Sequence, residues 1–263
     1  MPMDGRINRK EFLKFSAAIG GSILLPKFLF SEEKTIYLTI DDGPKQGMDM
    51  ILKNTRKNNK ITFFMLGGFL KNKEKFNKAC RALELGHEIG NHSYSHPSFS
   101  GISIDRAKKE IEDTDNLIEK IYLEVGCKRK IKFFRFPFGD PGYYNKRARN
   151  IADAIGCKNP IRLRYPYDDI KYHDFGKNGI GNKEKRIEIA FFLRDFGYST
   201  YFWNFDSKDY VHYTDNLPLE NILNGIKKTQ NLDVVLAHDL YITAKYVIPR
   251  YSSLGYSMKA LEN

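Results

Sequence analysis

The residues able to do chemistry in this 263-residue chain fall into five short clusters. Asp41 and Asp42 stand side by side before Gly43-Pro44, where the apolar run Thr35–Thr39 ends. Adjacent carboxylates leaving a strand are costly unless a cation or guanidinium meets them; the alternative is an Asp-Asp-Gly-Pro turn capping the next helix. His92 and His96 are spaced to bring two imidazoles to one side of a turn, and Pro97 argues for a tight turn over a helix interior. Two imidazoles and one strand-end carboxylate make an open coordination set for zinc or a similar divalent metal. Arg135 lies alone in the apolar stretch Phe134–Gly139 and needs a buried anion, for which the Asp41-Asp42 pair is the obvious source. Asp206, Asp209 and Tyr210 follow Trp203-Asn204-Phe205, and His238 closes the run Val234–Ala237.

Something must bring these clusters to one place. Short β-rich runs at Thr35–Thr39, Ile61–Leu66, Lys132–Phe136, Thr200–Phe205 and Asp233–Ala237 alternate with helical spacing. The helices are expected at Gly47–Asn58, Asn72–Leu85, Ser103–Leu123, Lys183–Phe196 and Leu217–Thr229. Strand-then-helix repetition predicts an α/β fold on a parallel sheet, either doubly wound or a barrel, with functional residues at the carboxyl ends of the strands. The five clusters sit at such ends. Residues 140–182 break the rhythm and read as an insertion near the site mouth. Its tyrosines (Tyr143, Tyr144, Tyr165, Tyr167 and Tyr172) either stack on sugar rings or pack on the barrel.

In that order, Asp41-Asp42-Gly-Pro, His92-x-x-x-His96, Arg135-x-Pro-Phe138, Asp206-x-x-Asp209-Tyr210 and Leu236-x-His238 resemble the five motifs of the NodB-homology polysaccharide deacetylases, carbohydrate esterase family four. Thr62-Phe63-Phe64 and Gly86–Asn91 fit as flanking residues. The resemblance runs from about Thr35 to the C-terminus, apart from the insertion. It implies a distorted (β/α) TIM-like barrel and a metal-dependent hydrolase removing N-acetyl groups from an N-acetylglucosamine-containing glycan: peptidoglycan, chitin or poly-N-acetylglucosamine. Carried over by position, Asp42, His92 and His96 are metal ligands, Asp41 the general base, Arg135 its tether, His238 the general acid and Asp209 its orienting partner. The Phe138 backbone N–H holds the oxyanion, and Leu236 and Tyr210 line the substrate pocket. Where the family has Phe, Tyr and Trp, this chain has Ile40, Phe138 and Tyr210. The implied metal is zinc, with cobalt or nickel as alternatives. Deacetylation or deformylation of a lipid-linked sugar, or weakly active glycan binding on the same fold, are the other readings.

Composition sets the remaining bounds. With 41% hydrophobic residues the chain can bury a full core. Cys80, Cys127 and Cys157 have no paired spacing and write neither a zinc ribbon nor a disulfide framework. The net charge of +11 suits either a solvated basic surface or contact with an anionic envelope or membrane surface. No nucleic-acid motif accompanies it, so no nucleic acid is expected as a partner. Residues 1–31 read as an export signal or membrane anchor: Arg6, Arg9, Lys10 and Lys14 precede the apolar stretch Phe15–Leu25, too short to span a bilayer. Asn8–Lys14 resembles a twin-arginine signal with Lys10 in place of the second arginine. Residues 32–263 are then the catalytic domain, and the expected location is periplasmic, envelope-bound or anchored. His87 is expected in a supporting or turn role, and His173 and His212 in polar loops.

Overall fold

A computed structural model describes residues 34–140 and 183–262. The expected leader, and all of the insertion but Asp140, lie outside the described residues, as do its tyrosines, Cys157 and His173. Cys80 and Cys127 are free thiols.

Eight strands run in chain order: β1 (Lys34–Gly43), β2 (Thr62–Met65), β3 (Glu88–Asn91), β4 (Lys132–Phe134), β5 (Tyr198–Thr200), β6 (Phe205–Asp206), β7 (Val234–His238) and β8 (Tyr256–Met258). Their spatial order is β5-β4-β3-β2-β1-β7-β6, every pairing is parallel, and β8 adds to the first residues of β1. The path is open between β5 and β6, so the parallel α/β sheet is a distorted barrel that does not close. Helices Met48–Asn54, Lys73–Glu84, Ile104–Val125, Lys183–Asp195 and Leu219–Gly225 fall within the expected segments, give or take a turn.

Alternate residues along each strand face opposite sides of the sheet. Ile36, Leu38, Ile40, Phe63, Val235 and Ala237 therefore join the core packed under Met48–Asn54 and Lys73–Glu84, while Phe64, Val234 and Leu236 join Phe133, Phe134, Phe136 and Trp203 in a second, aromatic core. Thr39 and Asp41 share that second face, which brings a carboxylate into a largely apolar interior.

Two departures from the sequence expectation have physical causes. Strand β3 carries a single large apolar residue and was not expected; Gly90 is required there because a Cβ would meet the Phe64 ring at 2.6 Å. The expected strand Thr200–Phe205 is interrupted instead. The carbonyls of Tyr201 and Phe202 accept from the Arg135 guanidinium, at 3.2 and 3.0 Å. These acceptors serve the site.

Candidate active site

Every cluster comes to the carboxyl end of the sheet. Asp41 and Asp42 lie near the end of β1, whose partner across the ladder at Asp41 is His238 of β7. His92 follows β3, Arg135 follows β4, and Asp209 follows β6. Seven non-glycine residues among those described have positive φ, and five of them are here: Asp42, Ser93, His96, Phe138 and Lys208. Such backbone costs on the order of 1–3 kcal/mol per residue, and persists where surrounding contacts over-determine it.

Asp42 Oδ1 lies 3.5 Å from His92 Nε2 and 3.1 Å from His96 Nε2. One ligand atom from each of the three residues falls within 4.8 Å of the others. The His92 ring is fixed from behind, since its Nδ1 is 2.8 Å from the Arg135 carbonyl, which leaves Nε2 with a lone pair aimed inward. Asp42 Oδ1 is buried without a hydrogen-bond donor, and Oδ2 takes the Lys45 ammonium at 3.3 Å. Burial pushes the Asp42 carboxyl upward, but the imidazoles of His92 and His96 facing it outweigh this and hold the group far below the usual carboxylate range. An orphaned carboxylate oxygen facing two imidazole nitrogens fits a divalent cation, with three protein donors around it among the described residues.

Beside this set, Asp41 is buried. Its Oδ1 accepts from Arg135 at 2.8 Å, while Oδ2 faces His92 Nε2 at 3.6 Å. Arg135 is fully buried, and also donates to Thr39 Oγ1 at 2.6 Å and lies 4.2 Å from the centroid of the Phe64 ring. Burial lowers its pKa, opposed by Asp41. Opposite stands the pair His238–Asp209. His238 Nδ1 is 2.8 Å from Asp209 Oδ1, and the His238 backbone N–H donates to Oδ2 at 2.7 Å. Burial lowers the His238 pKa, but the charge and hydrogen bond of Asp209 prevail and raise it to about 9. Burial likewise raises Asp209, and His238 more than reverses this. The Tyr210 ring meets His238 edge-on at 5.0 Å, and the half-exposed Phe138 ring meets His96 at 4.4 Å. Leu236 is buried on β7, across the ladder from Asp206.

A profile of the polysaccharide deacetylase family matches residues 31–160, the stretch that supplies Asp41, Asp42, His92, His96 and Arg135. The chain belongs to the polysaccharide deacetylase family. Among its curated relatives, the peptidoglycan-N-acetylmuramic acid deacetylase PdaC of Bacillus subtilis is 41% identical over 232 residues, 86% of this chain and 38% of that protein. The peptidoglycan-N-acetylglucosamine deacetylase PgdA of Listeria monocytogenes is 25% identical over 235 residues, 87% of this chain and 38% of that protein. The chain thus spans well under half of these relatives' length. The solved structure of Bacillus subtilis PdaC superposes with a TM-score of 0.58 at 24% identity, over 88% of this chain and 89% of that one.

Several residues that hold the candidate site were not singled out from the sequence. Glu110, on the Ile104–Val125 helix, is buried. Its carboxylate accepts from Tyr94 N–H at 2.9 Å, Ser95 N–H at 2.6 Å, Ser95 Oγ at 2.7 Å and Arg106 Nε at 2.8 Å. It clips the turn between the two histidines. Asp239 does the same for the carboxylate turn: its N–H donates to the Asp41 carbonyl and its Oδ2 accepts from Lys45 N–H. Thr243 Oγ1 donates to Asp209 Oδ2. Glu110 stands at helical spacing amid Lys and Glu, so nothing in its neighbourhood marks it as inward-facing except Ala107, Ile111 and Thr114 on the same stripe. Two other imidazoles stay outside. His87 accepts from Ile61 N–H, burial lowering its pKa to about 4 with help from Lys60, and His212 is 2.8 Å from the Leu217 carbonyl.

Proposed function

We propose that this chain is a metal-dependent deacetylase that removes N-acetyl groups from amino sugars of an envelope glycan of the peptidoglycan type. The single observation that carries the reading is the convergence of Asp42 Oδ1, His92 Nε2 and His96 Nε2 beside an Arg135-held Asp41. The names of the curated relatives support the substrate class, and zinc is the metal that suits two imidazoles and one carboxylate best, ahead of cobalt or nickel. Relatives that act on cell-wall peptidoglycan also support export, with residues 1–31 as signal or anchor. Among the described residues no helix is long and apolar enough to cross a membrane.

A divalent cation held by Asp42, His92 and His96 supplies Lewis acidity to the amide oxygen and acidity to water. Asp41 Oδ2, its sister oxygen fixed by Arg135, takes the proton as water adds to the carbonyl carbon. The negative oxygen of the tetrahedral species meets the Phe138 backbone N–H, a contribution of roughly 3 kcal/mol for one such donor. His238 then matters. With Nδ1 engaged by Asp209, its Nε2 carries the proton passed to the departing nitrogen, so the C–N bond breaks to give acetate and a free amine. Tyr210 and Leu236 line the acetyl end of the pocket.

Acetate release from N-acetylglucosamine oligomers and from N-acetylated peptidoglycan strands tests the proposal. Release should require added zinc, stop with chelator, and return on zinc replacement. No acetate from any of these glycans with zinc, cobalt or nickel bound would refute it.

A further inference from the structure

The end of the sheet opposite the site carries charge of the other sign. In a parallel sheet each return helix ends where the next strand begins, so the connections between them share the amino end. The connection before β2 supplies Arg56, Lys57 and Lys60, and the one before β4 supplies Lys128, Arg129 and Lys130. Lys34 opens β1, and Lys227 and Lys228 close the Ile226–Lys228 turn before β7. All are exposed except Lys60, whose ammonium donates to the Leu85 carbonyl at 2.5 Å, and Arg129, held by Asp115 and Glu119. Most acids of this end are engaged: Asp195 by Arg194, Glu88 by the Tyr122 hydroxyl and Asp233 by the Gln230 N–H. Lys259 and Glu262, after β8, add one charge of each sign. Glu84 and Glu124 are exposed there too, against a larger number of exposed lysines and arginines. The carboxyl end, by contrast, holds Asp41, Asp42, Asp206, Asp209 and Asp239.

The same end presents large apolar side chains to solvent. Among the described residues eight large apolar or aromatic side chains are exposed, and four of them are here: Leu123 at 77%, Leu232 at 46%, Leu85 at 42% and Phe196 at 37%. Singly exposed leucines are ordinary; their interleaving with cations is not. Strand order sets the row: Phe196 before β5, Leu123 and then Lys128 and Lys130 before β4, and Leu85 before β3. Arg56 and Lys57 follow before β2, Lys34 at β1 and Leu232 before β7. Neighbours are tied by backbone, as where the Leu232 N–H donates to the Thr35 carbonyl at 2.6 Å. At about 4.8 Å per strand the row runs for roughly 24 Å. The chain also enters the barrel at this end, at Lys34, just past the residues read as an export signal or anchor. Cations draw a surface to anionic headgroups, and leucine and phenylalanine beside them enter the acyl boundary. A soluble polyanion would use the cations alone and leave the leucines in water. We infer that the amino end of the barrel is a docking face for an anionic membrane surface, with the mouth of the site turned away from the lipid. This rests on the export reading and is independent of the reaction.

Vesicles of phosphatidylglycerol and phosphatidylcholine in equal parts, brominated on their acyl chains, test the face in the full chain. Leu123→Trp puts a fluorescent reporter at the amino end. Tyr213→Trp puts one at the carboxyl end, on the exposed helix Val211–Thr214 after β6. The native Trp203 is buried and gives both variants the same background. Bromolipid should quench Leu123→Trp and spare Tyr213→Trp, and the quenching should fade as salt rises from about 0.05 to 0.5 M. Adding Arg56→Gln, Lys57→Gln, Lys128→Gln and Lys130→Gln to Leu123→Trp should raise the lipid needed for half-quenching at least about tenfold, since each cation near an anionic surface counts for about fivefold. Residues 1–31 are the same in every variant, so a leader acting alone as a tether would leave the two reporters alike. Equal quenching of both reporters, quenching of neither, or quenching that survives loss of the four cations overturns the inference. So does equal quenching by vesicles of phosphatidylcholine alone. Binding to soluble polyphosphate with no quenching by bromolipid overturns it in favour of a polyanion face. Acetate release from soluble N-acetylglucosamine oligomers, measured in parallel, judges the deacetylase reading separately.

Discussion

At the scale of single residues, the site works by pairing each ionisable group with one that fixes its state. Asp209 is the clearest instance. It lies at zero exposure with both oxygens occupied, and its negative charge is what lifts His238 to about 9. In its proposed role as general acid His238 must hold its proton, so activity should persist below pH 9 and fall as pH rises through about 9. Asp209→Asn removes the charge while keeping most of the shape. Its alkaline limb should slide toward the ordinary histidine value of about 6.5, read from kcat/KM against pH. The same pair bears on stability. The folded-state pKa of His238 is above its unfolded one, so the histidine's contribution is complete below about pH 6.5 and is lost as pH climbs through 9. Unchanged pH profiles in Asp209→Asn would remove His238 from the acid role. Asp41→Asn should keep zinc at normal occupancy yet drop turnover by about a thousandfold or more, in line with loss of a general base together with its charge. Full activity with zinc bound would show that Asp41 is not the base.

At the scale of elements, the strand ends deliver the side chains and buried carboxylates on neighbouring elements set the turns. Glu110 holds a turn in which both Ser93 and His96 have left-handed backbone. Glu110→Gln keeps the volume but leaves the Tyr94 and Ser95 N–H groups competing for one amide oxygen. Zinc affinity should fall tenfold to a hundredfold, roughly the effect of losing a supporting contact behind a metal ligand. Competition against a chelating dye measures this. Ile118→Val, a core change on the same helix, should lower the melting temperature and leave zinc affinity alone. Equal zinc affinity in Glu110→Gln and the parent would mean the turn holds itself. Gly90→Ala tests the sheet: the new methyl meets the Phe64 ring, which itself lies against Arg135, so a loss of about 1–3 kcal/mol in unfolding free energy is expected.

The two scales differ in how much the sequence discloses. Asp41, Asp42, His92, His96, Arg135, Asp209 and His238 declare themselves because charged groups at the ends of apolar runs have few other uses, and the structure brings all seven together. Strand β3 hides because a glycine and an asparagine stand where alternation would put large apolar residues. The break between β5 and β6 hides for another reason: no local pattern says that a distant guanidinium will claim two strand carbonyls. Glu110 and Asp239 are legible only once helix faces and turns are placed, since each acts on backbone far away in sequence.

At the scale of the whole molecule, an open parallel barrel gathers residues from β1, β3, β4, β6 and β7 at one mouth, and in the proposed reading a single cation gives their arrangement a common purpose. Zinc located by anomalous diffraction in crystals of the zinc-loaded chain tests that directly. The expected result is one ion within about 2.0–2.2 Å of Asp42 Oδ1, His92 Nε2 and His96 Nε2. An ion bound elsewhere, or held without Asp42, would contradict it.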